Sequence, residues 1–213
     1  MAIERAEGVV LRVLPVTETS LVVTWLTREY GKIKTLAKGA RRPKSPLRGK
    51  LDLFYEAEIL FWRSSRSELH VLHDCFLENP HRKLRASLMS LTAASYACEL
   101  VDAVTAVEDR PGQLYDLLAQ VLGLLEQSAG VVPVVWFELQ VLAAAGWRPD
   151  FTGATGVGKV LQSLAAASVT GMQRVRLSAA QIREAQDLLE RFRGDHLGRV
   201  LQSHRLLSTK IQH

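Results

Sequence analysis

The spacing of apolar residues changes once along this chain, near residue 80. Before that point, short runs of β-branched and aromatic residues follow the period of two that a half-buried β-strand requires. From Pro80 onward, apolar residues recur every three or four positions, which is the period of an amphipathic helix. The sequence therefore predicts an α+β protein, with a strand-rich domain at residues 1–79 and an α-helical domain at residues 80–213.

Five strand-like runs, separated by turn signals, make up the first domain. They are residues 9–14, 21–27, 32–37, 53–62 and 68–75. The turn Glu29-Tyr30-Gly31 is predicted to join the second and third runs as a hairpin. Five short strands within about eighty residues favour a small closed barrel, and the oligonucleotide-binding (OB) barrel is the leading candidate.

The fourth run has two faces of different character. Its odd-numbered residues from Leu53 to Phe61 are all apolar or aromatic, whereas its even-numbered residues from Phe54 to Trp62 include Glu56 and Glu58. Ionised carboxylates are costly to bury, so the even-numbered face is expected to be the wetter one. In the first run, the residues expected to point inward are Val9, Leu11 and Val13.

Barrels that bind single strands combine a basic groove with aromatic rings on which bases stack. Two rings are candidates for that role, Tyr30 at the hairpin and Trp62 on the wetter face of the fourth run. The alternative for both is ordinary packing, which is favoured for Trp62 because the apolar Leu60 shares its face. Trp25 alternates with other apolar residues, which predicts a position in the core.

A strongly basic stretch runs from Arg28 to Lys50, with nine Lys or Arg and one acidic residue. Glycines and prolines between residues 37 and 49 predict an exposed loop there. Clustered like charges repel one another, and a polyanion would neutralise them. The alternative is a solvated loop that keeps the chain soluble. The residues predicted to bind nucleic acid are Lys32, Lys34, Lys38, Arg41, Arg42, Lys44, Arg48 and Lys50.

Charge is unevenly placed in a chain whose net charge is +5. Residues 1–83 carry 15 basic and 10 acidic groups, residues 84–169 carry 4 and 8, and residues 170–213 carry 8 and 4. This pattern directs a polyanion to the two basic ends. The charged N-terminus and the absence of a long apolar run predict a cytoplasmic protein. Cys75 and Cys98 are expected to be small buried side chains.

Helical spacing continues through the second domain. The predicted helices are a first along Leu84, Leu88 and Leu91, a second from Leu114 to Leu125, a third from Val134 to Ala145, a fourth after a capping box at Ser178 to Gln181, and a last near residues 197–207. The third helix is expected to bury one stripe that includes Trp136 and Leu139.

Two other motifs point to chemistry that the rest of the sequence does not support. Residues 153–160 (GATGVGKV) nearly match the phosphate-binding loop GxxxxGK[ST], but valine replaces the residue whose hydroxyl holds magnesium and no strand is predicted before it. His70, His73, Cys75 and His81 have the right types for zinc. His70 and His73 would point to opposite faces of a strand, however, and surface or half-buried histidines are the preferred interpretation. No catalytic centre, metal site or cofactor is predicted.

The order of several motifs resembles the family of the bacterial recombination mediator RecO. In the barrel they are Glu7-Gly8, Glu18 to Ser20, Thr27 to Gly31, and Lys38 to Ser45 (KGARRPKS). In the helical half they are Phe137 to Gln140, Gly146 to Asp150, and His196 to Arg199 followed by Gln202-Ser203. Many RecO proteins carry a four-cysteine zinc ribbon after the position of Asp150, but residues 151–159 contain no cysteine, so no ribbon and no zinc are expected.

The resemblance implies a non-catalytic protein of DNA repair that binds single- and double-stranded DNA largely without sequence preference. RecO proteins anneal complementary strands at the nucleoid and, with RecR, help load RecA onto DNA coated by single-strand-binding protein. The acidic C-terminal tail of single-strand-binding protein docks on their helical half. Candidate charges for that contact are Arg174, Arg176, Arg183, Arg191, Arg193, Arg199 and Arg205. The alternative is an adaptor whose basic barrel binds an acidic protein partner.

Overall fold

The computed structural model describes residues 2–107, 112–128, 130–151, 155–198, 200–204 and 207. The chain divides into two compact units, Met1–Arg82 with Thr105–Ala119, and Lys83–Val104 with Gln120–His213. Five strands followed by helices confirm the predicted α+β class. A boundary between independently folding domains at residue 79 stays a prediction.

The five strands of the first unit close into a barrel in the order β1-β2-β3-β5-β4. Their bounds are β1 Ile3–Pro15, β2 Leu21–Thr27, β3 Gly31–Ala37, β4 Glu56–Trp62 and β5 Leu69–Asn79. Neighbouring strands are antiparallel except for β3 and β5, which are parallel. Closure removes the exposed sheet edges, and the arrangement confirms the predicted OB-type barrel.

Alternate residues of the strands fill the barrel. The core includes Ala6, Val10, Val23, Trp25, Ile33, Ala57, Ile59, Phe61 and Cys75. Trp25 is fully buried as predicted, and its indole N–H donates to Thr35 Oγ1 at 2.9 Å, so the polar end of the ring is satisfied. Burial of Ala57, Ile59 and Phe61 also confirms the predicted inner face of β4.

Two predicted orientations in the barrel are wrong. The pairing of β1 with β2 shifts register between Val10 and Arg12, and Val10 takes the barrel-core position that alternation assigned to Val9 and Leu11. Phe54 was assigned to the wetter face, but it is 1% exposed. Phe54 precedes β4 and has a φ of 72°, a left-handed conformation that interrupts the alternation of a strand.

The helices follow the barrel strands in sequence. After a short 3₁₀ helix, Arg82–Ala86, they are α1 Leu88–Val104, α2 Gly112–Gln127, α3 Val131–Ala144, α4 Val157–Ala165, α5 Val169–Gln173 and α6 Ala179–Leu197. Residues 112–119 of α2 belong to the first unit. In the second unit α3 contacts α1, α4, α5 and α6, and it is apolar around most of its circumference, as a central helix must be.

The helical unit contains a buried ion pair between Glu138 of α3 and Arg193 of α6. Glu138 is 3% exposed and Arg193 is 5% exposed. The Arg193 guanidinium also lies 5.6 Å from the centre of the Tyr96 ring in α1. The ion pair joins α3 to α6, and the ring of Tyr96 brings α1 into the same contact. Removing either charge would leave the other buried without its partner, which is strongly destabilising.

Three helix predictions have clear outcomes. The capping box is confirmed, since Ser178 Oγ accepts from the Gln181 N–H and Gln181 Oε1 accepts from the Ser178 N–H. The first predicted helix is confirmed from Leu88 onward as α1, but Leu84 lies in the preceding 3₁₀ helix and Leu88 is 57% exposed. The last helix, predicted near residues 197–207, begins later than predicted. Gly198 ends α6 with a left-handed φ of 60°, and of residues 200–204 and 207 only 202–204 and 207 are helical.

Candidate nucleic-acid interface

The segment that joins β3 to β4, residues 38–55, is called the basic loop below. Ala40 and Leu47 are 4% and 5% exposed and pack into the barrel core. Turn hydrogen bonds run from Ser45 N to Arg42 O at 3.0 Å and from Arg48 N to Ser45 O at 3.1 Å. The prediction of an exposed loop is confirmed, but the loop is also a folded element with two apolar anchors.

Five cations of the basic loop are solvent-exposed. This exposed set is Lys38, Arg41, Arg42, Lys44 and Arg48. In the part of the chain that the structure describes, none of the five forms a salt bridge. Arg41 Nη1 donates to Thr17 O at 3.4 Å and Arg48 Nη1 donates to Pro43 O at 3.2 Å, and such neutral acceptors leave the charges uncompensated. The loop is therefore a concentrated source of positive potential.

The other three predicted cations have different surroundings. Lys34 is half-buried on β3, and Lys32 is 9% exposed. Lys50 Nζ donates to Cys75 O at 2.8 Å and lies 3.9 Å from Asp74 Oδ1. The structure therefore gathers five of the eight predicted residues on one exposed loop, and a nucleic-acid contact at the other three stays a prediction.

Gly39 positions the side chain of Arg42. Its φ of +66° lies in the left-handed region that favours glycine. A Cβ added at Gly39 would lie 3.4 Å from Arg42 Cδ and 3.5 Å from Arg42 Nε. The side chain of Arg42 therefore lies on the side of Gly39 where a Cβ would be, and a larger residue at position 39 would contact it.

The two aromatic candidates are packed against neighbours. Tyr30 donates its hydroxyl to Glu4 Oε2 at 2.8 Å, and its ring meets that of Phe61 edge-on with 5.6 Å between the ring centres. Trp62 is half-buried, with its ring centre 4.6 Å from that of His73. These contacts favour the packing interpretation for both rings.

Phe76 is an exposed ring that the sequence prediction missed, because β5 was expected to end at Cys75. It is 47% exposed, and Lys50 Nζ lies 5.8 Å from its ring centre. Its neighbours on the same face of β5 are Asp74 and Glu78, and it pairs with Glu58 of β4. Continuing the period of two past Cys75 would have revealed this face.

The outer surface of β1, β4 and β5 carries several carboxylates, of which Glu58 pairs with Arg5 and Glu7 pairs with Arg28. Glu7 of β1 pairs with Glu58 of β4 in the sheet. Partial burial and the negative charges of Glu7, Glu58 and Glu56 raise the pKa of Glu78. Because its cations are already paired with carboxylates, this part of the barrel offers a phosphate less uncompensated positive charge than the basic loop, and Phe76 is a poor platform for bases.

The alternative sites are not assembled in the described residues. His70 and His81 are each 1% exposed, so their interpretation as surface or half-buried residues is wrong, and His70 stacks on Phe61 with 5.3 Å between the rings. Among the described residues, no group of three or more His, Cys, Asp or Glu is placed to hold a metal ion. Cys75 and Cys98 are buried as predicted, and burial raises the pKa of the Cys75 thiol to about 12.

The phosphate-loop motif is only partly described, since residues 152–154 lie outside the described ranges. Residues 147–151, which precede it, form no strand, and Lys159 lies within α4. A phosphate-binding loop must follow a buried strand, so the local structure lacks that requirement. Of the helices that the structure describes, none is both long enough and apolar enough to cross a membrane.

The fold and the loop define a class of protein: a closed OB-type barrel with an exposed basic loop, followed by a helical unit. Sequence comparison gives the family. The profile of the recombination protein O N-terminal region matches residues 1–81, and that of the recombination protein O C-terminal region matches residues 85–163. The chain belongs to the RecO family of DNA repair proteins.

Individual relatives agree with this assignment. The DNA repair protein RecO of Syntrophus aciditrophicus is 33% identical over 150 residues, which are 70% of this chain and 58% of that protein. The DNA repair protein RecO of Symbiobacterium thermophilum is 35% identical over 160 residues, which are 74% of this chain and 62% of that protein. The chain thus spans about three fifths of the length of these curated relatives.

Proposed function

We propose that this chain is a non-catalytic, DNA-binding recombination mediator. The observation that carries the proposal is the exposed set, five cations on a folded loop of an OB-type barrel that form no salt bridge with any described residue. Phosphate oxygens are the complementary ligand, because they offer one negative charge per nucleotide along a continuous line. The protein would act in the cytoplasm, at the nucleoid.

The chemistry of the loop favours binding with little sequence preference. Lys and Arg contacts to phosphates fix the position of a strand but carry no base information. Single and double strands both present phosphates, so both would bind. Annealing of complementary strands follows from the same charges, since neutralising two phosphate backbones lowers the cost of bringing them together.

Membership of the RecO family supports the finer proposal about partners. The chain would act with RecR to help load RecA onto DNA that is coated by single-strand-binding protein. The acidic tail of single-strand-binding protein would dock on the helical unit. Arg193 is unsuited to that contact because it is buried with Glu138, and Arg199 and Arg205 lie outside the described residues.

An open depression in the helical unit suits such a tail. Its volume is about 420 Å³, and it is lined by apolar residues of α3 and α5, including Val131, Pro133 and Met172, together with Arg176. Arg176 Nη1 donates to Gln173 O and Val175 O, which hold the guanidinium beside the depression. An acidic peptide with an apolar end would meet both an apolar wall and a cation there.

A charge-reversal experiment tests the proposed function. In Arg41→Glu with Arg42→Glu, binding to a labelled 15-nucleotide strand and the annealing of complementary strands should both be lost, with circular dichroism unchanged. The matched control is Arg183→Glu with Arg191→Glu, which makes the same charge change at exposed positions of α6. That control should keep oligonucleotide binding.

Three results would count against the proposal. Intact binding in the loop variant would remove the basic loop from the mechanism. Equal loss in both variants would show a response to net charge alone. If the wild type ignored oligonucleotides at low ionic strength and bound an acidic protein, the adaptor alternative would be correct.

A further inference from the structure

An open depression lies between the loop that joins β1 to β2 and the start of the basic loop. Its volume is about 520 Å³, within the range of ~300–1,000 Å³ typical of small-ligand sites. One wall is formed by Val16, Thr17, Thr19 and Ser20, and the other by Leu36 of β3 with Lys38, Gly39 and Arg42. We call it the barrel-end depression.

The two walls are tied to each other by hydrogen bonds. Gly39 N donates to Ser20 Oγ at 3.3 Å, and Arg41 N donates to Thr19 O at 2.9 Å. Within the first wall, Thr17 Oγ1 accepts from the Ser20 N–H at 3.0 Å. The depression is therefore already formed before any ligand binds, which lowers the entropy cost of binding.

The lining combines three kinds of chemistry. Val16 is 51% exposed and lines the depression together with Leu36, which gives the depression an apolar part. Lys38 and Arg42 supply two charges that have no salt bridge among the described residues. Thr17, Thr19 and Ser20 supply hydroxyl groups. A flat apolar ring attached to an anion matches this combination.

Arg42 is shared with a second depression of about 340 Å³, lined by Lys38, Gly39, Lys44, Ser45 and Pro46 as well. Its side chain lies beside Gly39, on the side where a Cβ would be. A guanidinium plane can stack on a base and also donate to a phosphate. Arg42 is therefore placed to contact two neighbouring units of a strand, one in each depression.

We propose that the barrel-end depression binds one unpaired nucleotide, with its base against Val16 and Leu36 and its phosphate on Lys38 and Arg42. The inference rests on the proposed function and adds to it a preference for single strands at this position. A paired base is stacked in its duplex and would have to leave the stack to enter. The phosphate contacts alone would not distinguish the two forms.

The test compares a 15-nucleotide thymidine strand with a 15-nucleotide abasic strand of the same phosphate count. The wild type should bind the thymidine strand about tenfold more tightly. Val16→Ala with Arg42→Lys removes apolar surface and the guanidinium plane but keeps the charge, so the preference should fall by about threefold or more. Affinity for the abasic strand should change little.

The matched control is Leu14→Ala with Arg12→Lys. Leu14 is 40% exposed and Arg12 is exposed, and neither lines the depression. The control should keep the wild-type preference, and a loss there as large as in the Val16 variant would overturn the site. Equal wild-type affinity for the two strands would overturn it too, while leaving the proposed function intact. Failure to bind either strand at low salt would instead refute the proposed function.

Discussion

The steepness of salt dependence follows directly from the number of exposed cations. The basic loop offers five of them, Lys38, Arg41, Arg42, Lys44 and Arg48. If each neutralises one phosphate of a single strand, log K should fall with log salt at a slope of about −3.5. Between about 50 and 200 mM salt, the affinity should then drop about 130-fold.

Removing two charges should make that dependence shallower. Arg41→Ala with Arg42→Ala leaves three exposed cations, for which the slope is about −2.1 and the loss over the same salt range about 20-fold. Fluorescence anisotropy of a labelled 15-nucleotide strand, measured at five or more salt concentrations, gives both slopes. The control is Arg183→Ala with Arg191→Ala on α6, which should retain the wild-type slope.

A wild-type slope near zero would refute the reasoning, since it would mean that no phosphates are neutralised. An unchanged slope in the loop variant would show that the phosphates are bound elsewhere. A slope much steeper than about −3.5 would mean that Lys34, Lys32 or Lys50 also takes part, or that cations of the helical unit do. The measured slopes therefore show whether the cations of the basic loop, or cations elsewhere, neutralise the phosphates.

Two further predictions concern the helical unit. Glu138→Gln leaves Arg193 buried without its carboxylate and should lower the free energy of unfolding by about 3–5 kcal/mol in urea, with Glu138→Leu plus Arg193→Met recovering most of it; a loss below about 1 kcal/mol would contradict burial of the pair. Burial and the charge of Arg193 lower the pKa of His204 to about 4. Because an unfolded histidine titrates near pH 6.5, the unfolded state binds more protons, and stability should fall as the pH drops from about 6.5 towards 4. His204→Gln should reduce that fall, and identical pH curves for the two proteins would contradict the assignment.

The barrel could be predicted from sequence because its signals are local. Alternation identified the inner face of β4, and a short turn with Gly31 identified the β2–β3 hairpin. The left-handed conformation of Phe54 and the register shift in β1 have no counterpart in the local pattern of apolar residues, so strict alternation placed Phe54, Val9 and Leu11 on the wrong faces.

The sequence located the basic segment, but it did not show which of its cationic side chains are exposed. Composition identifies a basic loop, yet burial separates Lys32 from Lys38, and that burial depends on a contact distant in sequence. Lys32 forms a β-bridge with Val107, a residue 75 positions away. Ala40 and Leu47 show the same limit, since the sequence of a polar loop does not reveal which of its few apolar residues are buried in the core.

The anchors explain how a dense cluster of like charges can serve as a binding surface. A mobile loop would spread its cations apart to reduce repulsion, and a ligand would have to bring them together again. Burial of Ala40 and Leu47 and the hydrogen bonds to Thr19 and Ser20 keep the cations close without a ligand. The free protein therefore already carries this electrostatic repulsion. A polyanion that binds relieves the repulsion without first having to bring the cations together. The surface of β1, β4 and β5 differs from the loop, because its cation Arg5 is already paired with Glu58 and attracts a polyanion less than do the exposed cations of the basic loop, which form no salt bridge with a described residue.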